Sequence, residues 1–380
     1  MNYTKIYQKY KEESISGRYI ALKHIEQLLK NNNAEVIGKS VLKQPIYKLN
    51  FGTGKTKILL WSQMHGNEST TTKALSDLIK FLNSNSEESN TLLKNFTFCI
   101  LPMVNPDGAA AYTRVNANEV DLNRDAKELT QPESKALRSV FDDFQPDYCY
   151  NLHDQRTIFG VGETSKPATL SFLAPSFDKE RSWNDCRLKA AQIIVAMNSE
   201  LQKHIPGQIG RFDDSFNLNC IGDMFQSLNV PTILFEAGHF ADDYEREITR
   251  KYIFIALLSS FEYMVENDIV RNKREQYLSI PQNKVSFFDV VCRNIKINYD
   301  STEKCMNFAL QYREILQGDL VTFELYLAQI DQLENYFGHT EIFVEEENYF
   351  ISSDELPLIG EKANFKIGNH INFVNGIKNC

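Results

Sequence analysis

The chain has 380 residues, room for one large domain and a smaller one, and its 42% hydrophobic and 24% charged content is that of an ordinary globular protein. A formal net charge of -9 excludes the basic footprint that nucleic-acid binding requires. No run approaches the roughly 18 consecutive apolar residues of a membrane-spanning helix. Met1-Asn2-Tyr3-Thr4-Lys5 leads into polar sequence with no apolar core, and the 7 cysteines are scattered without a CxxC pair. Reduced, mostly buried thiols and a cytoplasmic setting are therefore expected.

Ile20–Lys30 opens the chain's regular structure with apolar residues at helical spacing. Gly52-Thr53-Gly54-Lys55-Thr56 suggests a phosphate loop, but Leu49 stands where that motif needs its first glycine, and a strand follows where a helix should. It reads as a hairpin turn. Ile58–Trp61 and Phe96–Met103 are short apolar runs bounded by polar residues, as buried strands are, and Thr70–Leu82 between them has helical spacing. Tyr148–Leu152 and Thr232–Phe235 again read as strands, Arg187–Leu201 as a helix, and the acidic run Asp242–Glu247 as a solvated helix start. This alternation predicts an α/β sandwich with a largely parallel sheet. After the polar stretch Arg271–Gln276 and Pro281 the character changes. Helical spacing over Thr302–Leu316 is followed by strand-like Ile342–Ile351 and Ala363–Val374, with turn residues Pro357 and Gly360 between them. A large domain over 1–274 and a small, mostly β domain over 283–380 are expected.

Chemistry concentrates where apolar runs end. Gln63-Met64-His65-Gly66-Asn67-Glu68 follows the first strand directly, and a histidine and a glutamate three residues apart at a strand exit can face one point. Zn2+ accepts imidazole nitrogen and carboxylate oxygen, and a catalytic site typically has three protein ligands and an open position. Taken alone, HxxE is a common surface pair. A third ligand is expected from another strand end, and Tyr148–His153 supplies one in His153. Glu236 ends the run Thr232–Phe235 in the same way. In open α/β sheets, functional groups gather at the carboxyl ends of strands. His239, three residues after Glu236, reads as a structural histidine. His24, His204, His339 and His370 lack a companion at ligand spacing. Asp154, Gln155 and Arg156 read equally well as pocket rim or plain loop.

Between these groups lie Asn105-Pro106-Asp107-Gly108, then Arg114, then Asp121-Leu122-Asn123-Arg124. Each alone is a turn or a solvated cation. Their order together with His65-Gly-Asn-Glu68, Leu152-His153 and Phe235-Glu236 resembles the zinc carboxypeptidase family over about residues 15–265. The resemblance implies an α/β/α sandwich around a mixed, mainly parallel eight-stranded sheet, with Zn2+ held by His65, Glu68 and His153. It implies that Asn123 and Arg124 grip the free carboxylate of the substrate, a task suited to the guanidinium fork. Arg114 is implied to stabilise the developing oxyanion. Glu236 is implied to be the general base for metal-activated water and the donor of its proton to the leaving amine.

The implied activity is removal of a C-terminal residue from a peptide. A second reading keeps the metal set and takes N-acyl amino acids as an aspartoacylase-like deacylase, and a third is a non-catalytic binding module built on the same site. The sequence departs from the family's pattern at one point. No tyrosine occurs between Asp154 and Phe235, and Phe212 stands about where the substrate-closing tyrosine is expected. The side-chain pocket is expected between Asn219 and Val230, with Asp223 read as the N-cap of a short helix.

Overall fold

The structure is a computed structural model describing residues 1–269, 272–299, 302–345, 347–350, 357–369 and 371–379. Of the residues named above, Arg271, Ile351 and His370 lie outside these. The chain divides into two compact units, one comprising Met1–Gln155 and Ala168–Asn283, the other Arg156–Pro167 and Lys284–Cys380.

The first unit is built on eight strands: β1 (Glu35–Lys39), β2 (Pro45–Phe51), β3 (Thr56–Ser62), β4 (Phe96–Leu101), β5 (Tyr148–Asp154), then, after the short β6 (Phe159–Val161) of the other unit, β7 (Leu170–Leu173), β8 (Ile209–Arg211) and β9 (Thr232–Ala237). Their order across the sheet is β1-β2-β4-β3-β5-β9-β7-β8. The central strands β4, β3, β5 and β9 run parallel, while β1, β2 and β7 introduce antiparallel pairs. Because side chains alternate along a strand, each strand feeds two cores. Ile58, Leu60, Tyr150, Leu152, Ile233 and Phe235 pack on one face with the helices that include α3 (Thr70–Leu82), α7 (Asp185–Leu201) and α9 (Glu247–Glu266). Leu59, Trp61, Cys99 and Cys149 pack on the other with α6 (Pro132–Phe144) and α8 (Ile221–Ser227). The result is helix, sheet, helix. No helix among the described residues is long and apolar enough to cross a membrane.

Two local expectations are corrected. The Gly52–Lys55 segment is not a hairpin turn, because β4 lies between β2 and β3 and the segment crosses it. A Cβ on Gly54 would stand 1.9 Å from the Asn95 carbonyl carbon, so the crossing is close enough to admit only glycine. The Asp242–Glu247 run is not solvated at Asp243 or Arg246, both buried. Asp243 accepts the Glu247 and Thr249 amides at 2.8 Å each, satisfying the start of α9.

The second unit holds two four-stranded sheets, one ordered β13-β12-β11-β14 and the other made, in chain order, of β15 (Tyr349–Phe350), β16 (Phe365–Ile367), β17 (Ile371–Val374) and β18 (Ile377–Asn379). In the first, β11 (Phe287–Tyr299), β12 (Thr302–Gln317), β13 (Leu320–Asp331) and β14 (Phe337–Phe343) surround Cys292, Ile295, Phe308, Leu310, Leu325 and Leu327. The segment expected to be a helix over Thr302–Leu316 is thus the strand β12. β6, from the insertion Arg156–Pro167, pairs with β10 (Asn283–Val285).

Candidate metal centre

β3, β5 and β9 are neighbours and parallel, so their carboxyl ends open on one edge of the sheet. The turn after β3 carries His65 and Glu68 into the start of α3, while His153 is the penultimate residue of β5. Glu236 on β9 is the register partner of His153. In parallel pairing such partners point to the same face. Asn151 and Leu234, two residues earlier, form the row behind them.

The histidine Nδ1 atoms of His65 and His153 stand 3.1 Å apart. Both address Glu68, His65 at 2.7 Å from Oε1 and His153 at 2.8 Å from Oε2. All three residues are buried, and one donor atom of each lies within 4.8 Å of the others. Glu68 is braced further by the Asp154 backbone amide, which donates to Oε2 at 3.1 Å, and by Arg114 Nη1 at 3.2 Å from Oε1. Asp121, to which no role was given from sequence, lies 2.9 Å from His65 Nε2 and also accepts from Arg114 Nε at 3.1 Å. With the His65 proton on Nε2 donating to Asp121, Nδ1 is left as the acceptor a cation needs, the arrangement that carboxylate partners impose on metal-binding histidines. Two imidazole nitrogens and one carboxylate on a common point fit Zn2+, and the set leaves a position open.

The charges agree with this reading. Burial alone would lower His65, but the Glu68 carboxylate and the Asp121 bond outweigh it and raise its pKa. For His153 burial wins and lowers it. Glu68 is pulled well below the ordinary glutamate value because the two histidines overcome burial. Glu236 goes the other way: burial, reinforced by the negative charges of Glu68 and Asp154, pushes it well above the ordinary value, with Arg114 opposing. A divalent cation beside it would draw it back toward ionisation.

Asn123 and Arg124 sit on a short 3-10 turn, Leu122–Arg124, capped by Asp121. Asn123 Oδ1 accepts the Ile221 amide at 3.0 Å, tying this turn to the first residue of α8. Arg124 is exposed and makes no ion pair among the described residues. Asp223 is not the N-cap of α8, which is Cys220; it lies within the first turn and its carboxylate accepts the Asn217 amide at 2.8 Å. His239 is buried against Tyr244 at 4.6 Å between ring centres and is not part of the metal-type cluster.

Residues 19–143 match the family model for zinc carboxypeptidases. Over these residues the chain is similar to zinc carboxypeptidases. Probable carboxypeptidase 2 of Arthroderma benhamiae is 29% identical over 113 residues, 29% of this chain and 21% of that protein. Carboxypeptidase SOL1 of Arabidopsis thaliana is 31% identical over 103 residues, 24% of this chain and 21% of that one. The match thus spans about a fifth of these relatives' length. Among solved structures, a putative carboxypeptidase A from Shewanella denitrificans superposes with a TM-score of 0.53 at 17% identity, covering 64% of this chain and 68% of that one. A metallocarboxypeptidase from Pseudomonas aeruginosa, solved with (2-guanidinoethylmercapto)succinic acid, gives 0.52 at 18%, covering 66% and 69%. These superpositions establish the fold. His153 and Glu236 fall beyond the matched residues, and it is the sheet that brings them to His65 and Glu68.

Proposed function

We propose that this chain is a zinc-dependent hydrolase that removes a C-terminal residue from a peptide. The observation that carries this is the convergence of His65, Glu68 and His153 at the edge of three parallel strands, with Glu236 in register beside His153. His65, Glu68 and His153 hold Zn2+, which when bound supplies a Lewis acid that lowers the pKa of water and polarises a carbonyl. Glu236 takes a proton from the attacking water at its carboxylate and delivers it to the leaving amine. Arg114, anchored between Glu68 and Asp121, directs a guanidinium toward the oxygen on which charge develops. Arg124, exposed and without a carboxylate partner among the described residues, takes the free carboxylate of the substrate, and Asn123 fixes the turn that presents it.

The test is turnover by zinc-loaded protein on C-terminally varied peptides, on their amidated forms and on N-acyl amino acids. Free-carboxylate peptides are expected to lose one residue and amidated ones to remain intact. Turnover of N-acyl amino acids alone would move the reading to a deacylase, and binding without turnover to a recognition module. Glu236→Gln is expected to reduce kcat by roughly 10²–10⁴-fold, the usual worth of a positioned acid–base group, while zinc stays bound. Loss of zinc along with activity would contradict the role given to Glu236.

A further inference from the structure

The segment Glu12–Ile20 lies almost wholly outside the stretch that matches the family, which begins at residue 19. It is nonetheless bonded to every ligand-bearing stretch. Gln63, two residues before His65, donates its amide to the Ile20 carbonyl at 2.6 Å. Ser69, next to Glu68, donates its hydroxyl to the Arg18 carbonyl at 2.6 Å. Arg18 Nη1 donates to Asp154, the neighbour of His153, at 2.6 Å and to the Thr70 hydroxyl at 3.0 Å. Arg250 closes the other end, reaching the carbonyls of Ile15 at 2.6 Å and Glu12 at 2.9 Å.

Asp154 is the point where these ties meet the metal set. Its carboxylate accepts Arg18, the Thr70 amide at 3.1 Å and the Thr70 hydroxyl at 2.6 Å, all on Oδ2. Its own backbone amide donates to Glu68. The end of β5 is thereby locked to the start of α3, fixing His153 relative to Glu68. Arg18 and Asp154 are both buried, so the carboxylate has little water to replace the guanidinium if that is removed.

On the reading that His65, Glu68 and His153 hold zinc, we propose that Arg18 is a positioning residue for the metal and that the N-terminal segment Glu12–Ile20 is part of the site. Arg18 is not one of the three metal-type residues. It holds Asp154 and Thr70 so that ligands from two distant stretches meet at one distance. By linkage, zinc binding then stabilises the docked segment as much as the docked segment strengthens zinc binding.

Zinc affinity of the chain is measured by chelator competition, with the visible spectrum of the Co2+-loaded protein as a reading of ligand geometry. Arg18→Met is expected to weaken zinc roughly 10- to 100-fold, the range seen when outer partners of metal ligands are lost, and to alter the Co2+ bands; Arg18→Lys is expected to recover part of both. Should Arg18→Met fail to fold, the paired change Arg18→Met with Asp154→Asn removes both charges, and the same weakening is expected. A folded variant of either kind that binds zinc as tightly as the parent overturns the proposal. A measurement on the unaltered chain stands beside these. Zinc is expected to slow hydrogen exchange in residues 12–20 more than in the distant helix Glu87–Asn95, and equal effects overturn the proposal. If the unaltered chain binds no zinc, the metal reading falls, an outcome distinct from unchanged affinity on losing Arg18.

Discussion

Asp223 shows how a single side chain sets a pH dependence. It is buried in the first turn of α8, and burial raises its carboxyl from 3.8 to about 7, although the Asn217 amide and the positive charges of Arg124 and Arg187 oppose this. The folded chain therefore keeps a proton that the unfolded chain releases. Stability is highest below the unfolded value and falls as the pH rises through about 7. Asp223→Asn retains an acceptor for Asn217 and removes the charge. At pH ~8 the variant is expected to be more stable by about 2–4 kcal/mol, with the difference vanishing near pH ~4, since each tenfold change in the ionisation constant is worth about 1.4 kcal/mol. Urea midpoints at the two pH values check this; an identical difference at both would mean that charge burial is not the cause. At this scale the sequence was legible where a residue of the cluster or its register partner ends an apolar run, as His153 and Glu236 do. Asp121, Asp154 and Arg18 lacked that mark. Their roles depend on partners 56, 84 or 136 positions away, which spacing does not reveal.

Between elements, a fully buried polar tie joins α3 to α9. Arg250 and Asp77 are both fully buried and bond twice, at 2.7 and 2.6 Å, while Lys73 of α3 reaches Glu247 of α9 at 2.6 Å. Breaking one side of such a pair leaves a charge without water. Arg250→Met is expected to cost about 3–5 kcal/mol, and pairing it with Asp77→Asn to recover much of that, because the orphaned carboxylate and not the lost attraction dominates. Equal destabilisation by the single and the double change, read from denaturant midpoints, would contradict this account. Elements were legible where one period dominates: Thr70–Leu82 was bounded as α3 is. β12 misled for a physical reason. Phe308 and Leu310 enter one core while Ala309 enters another, so three consecutive apolar residues break the strand's alternation and, with Cys305-Met306 and Ile315-Leu316, imitate helical spacing. Periodicity alone does not separate such a strand from a buried helix. The alternation of Met306, Phe308, Leu310 and Tyr312 against one core is the trace of its true period. The insertion Arg156–Pro167 left no mark either, since its strand β6 finds its partner more than a hundred residues later.

At the scale of the molecule, each compact unit has its own hydrophobic core, and the metal-type cluster lies wholly in the first. The chain's 2 tryptophans, Trp61 and Trp183, are both in that unit as well. Tryptophan fluorescence therefore follows the unfolding of the metal-bearing unit alone. Zinc bound only by the folded state adds RT ln(1 + [L]/Kd), about 4 kcal/mol when free metal exceeds Kd a thousandfold. Chelation is expected to lower the fluorescence-detected midpoint by a corresponding margin. Adding back stoichiometric zinc is expected to restore it, and the size of the shift is expected to grow with free zinc. A second consequence separates metal binding from a general salt effect. The ligands must lose protons to bind, and the carboxylates of Glu68 and Asp121, overcoming burial, hold His65 toward its protonated form, so zinc and protons compete for the same site. The stabilisation by zinc should therefore shrink as the pH falls through the histidine range, whereas a nonspecific divalent effect has no reason to follow it. A fluorescence midpoint indifferent to zinc at every pH would remove the metal from His65, Glu68 and His153, and with it the hydrolase.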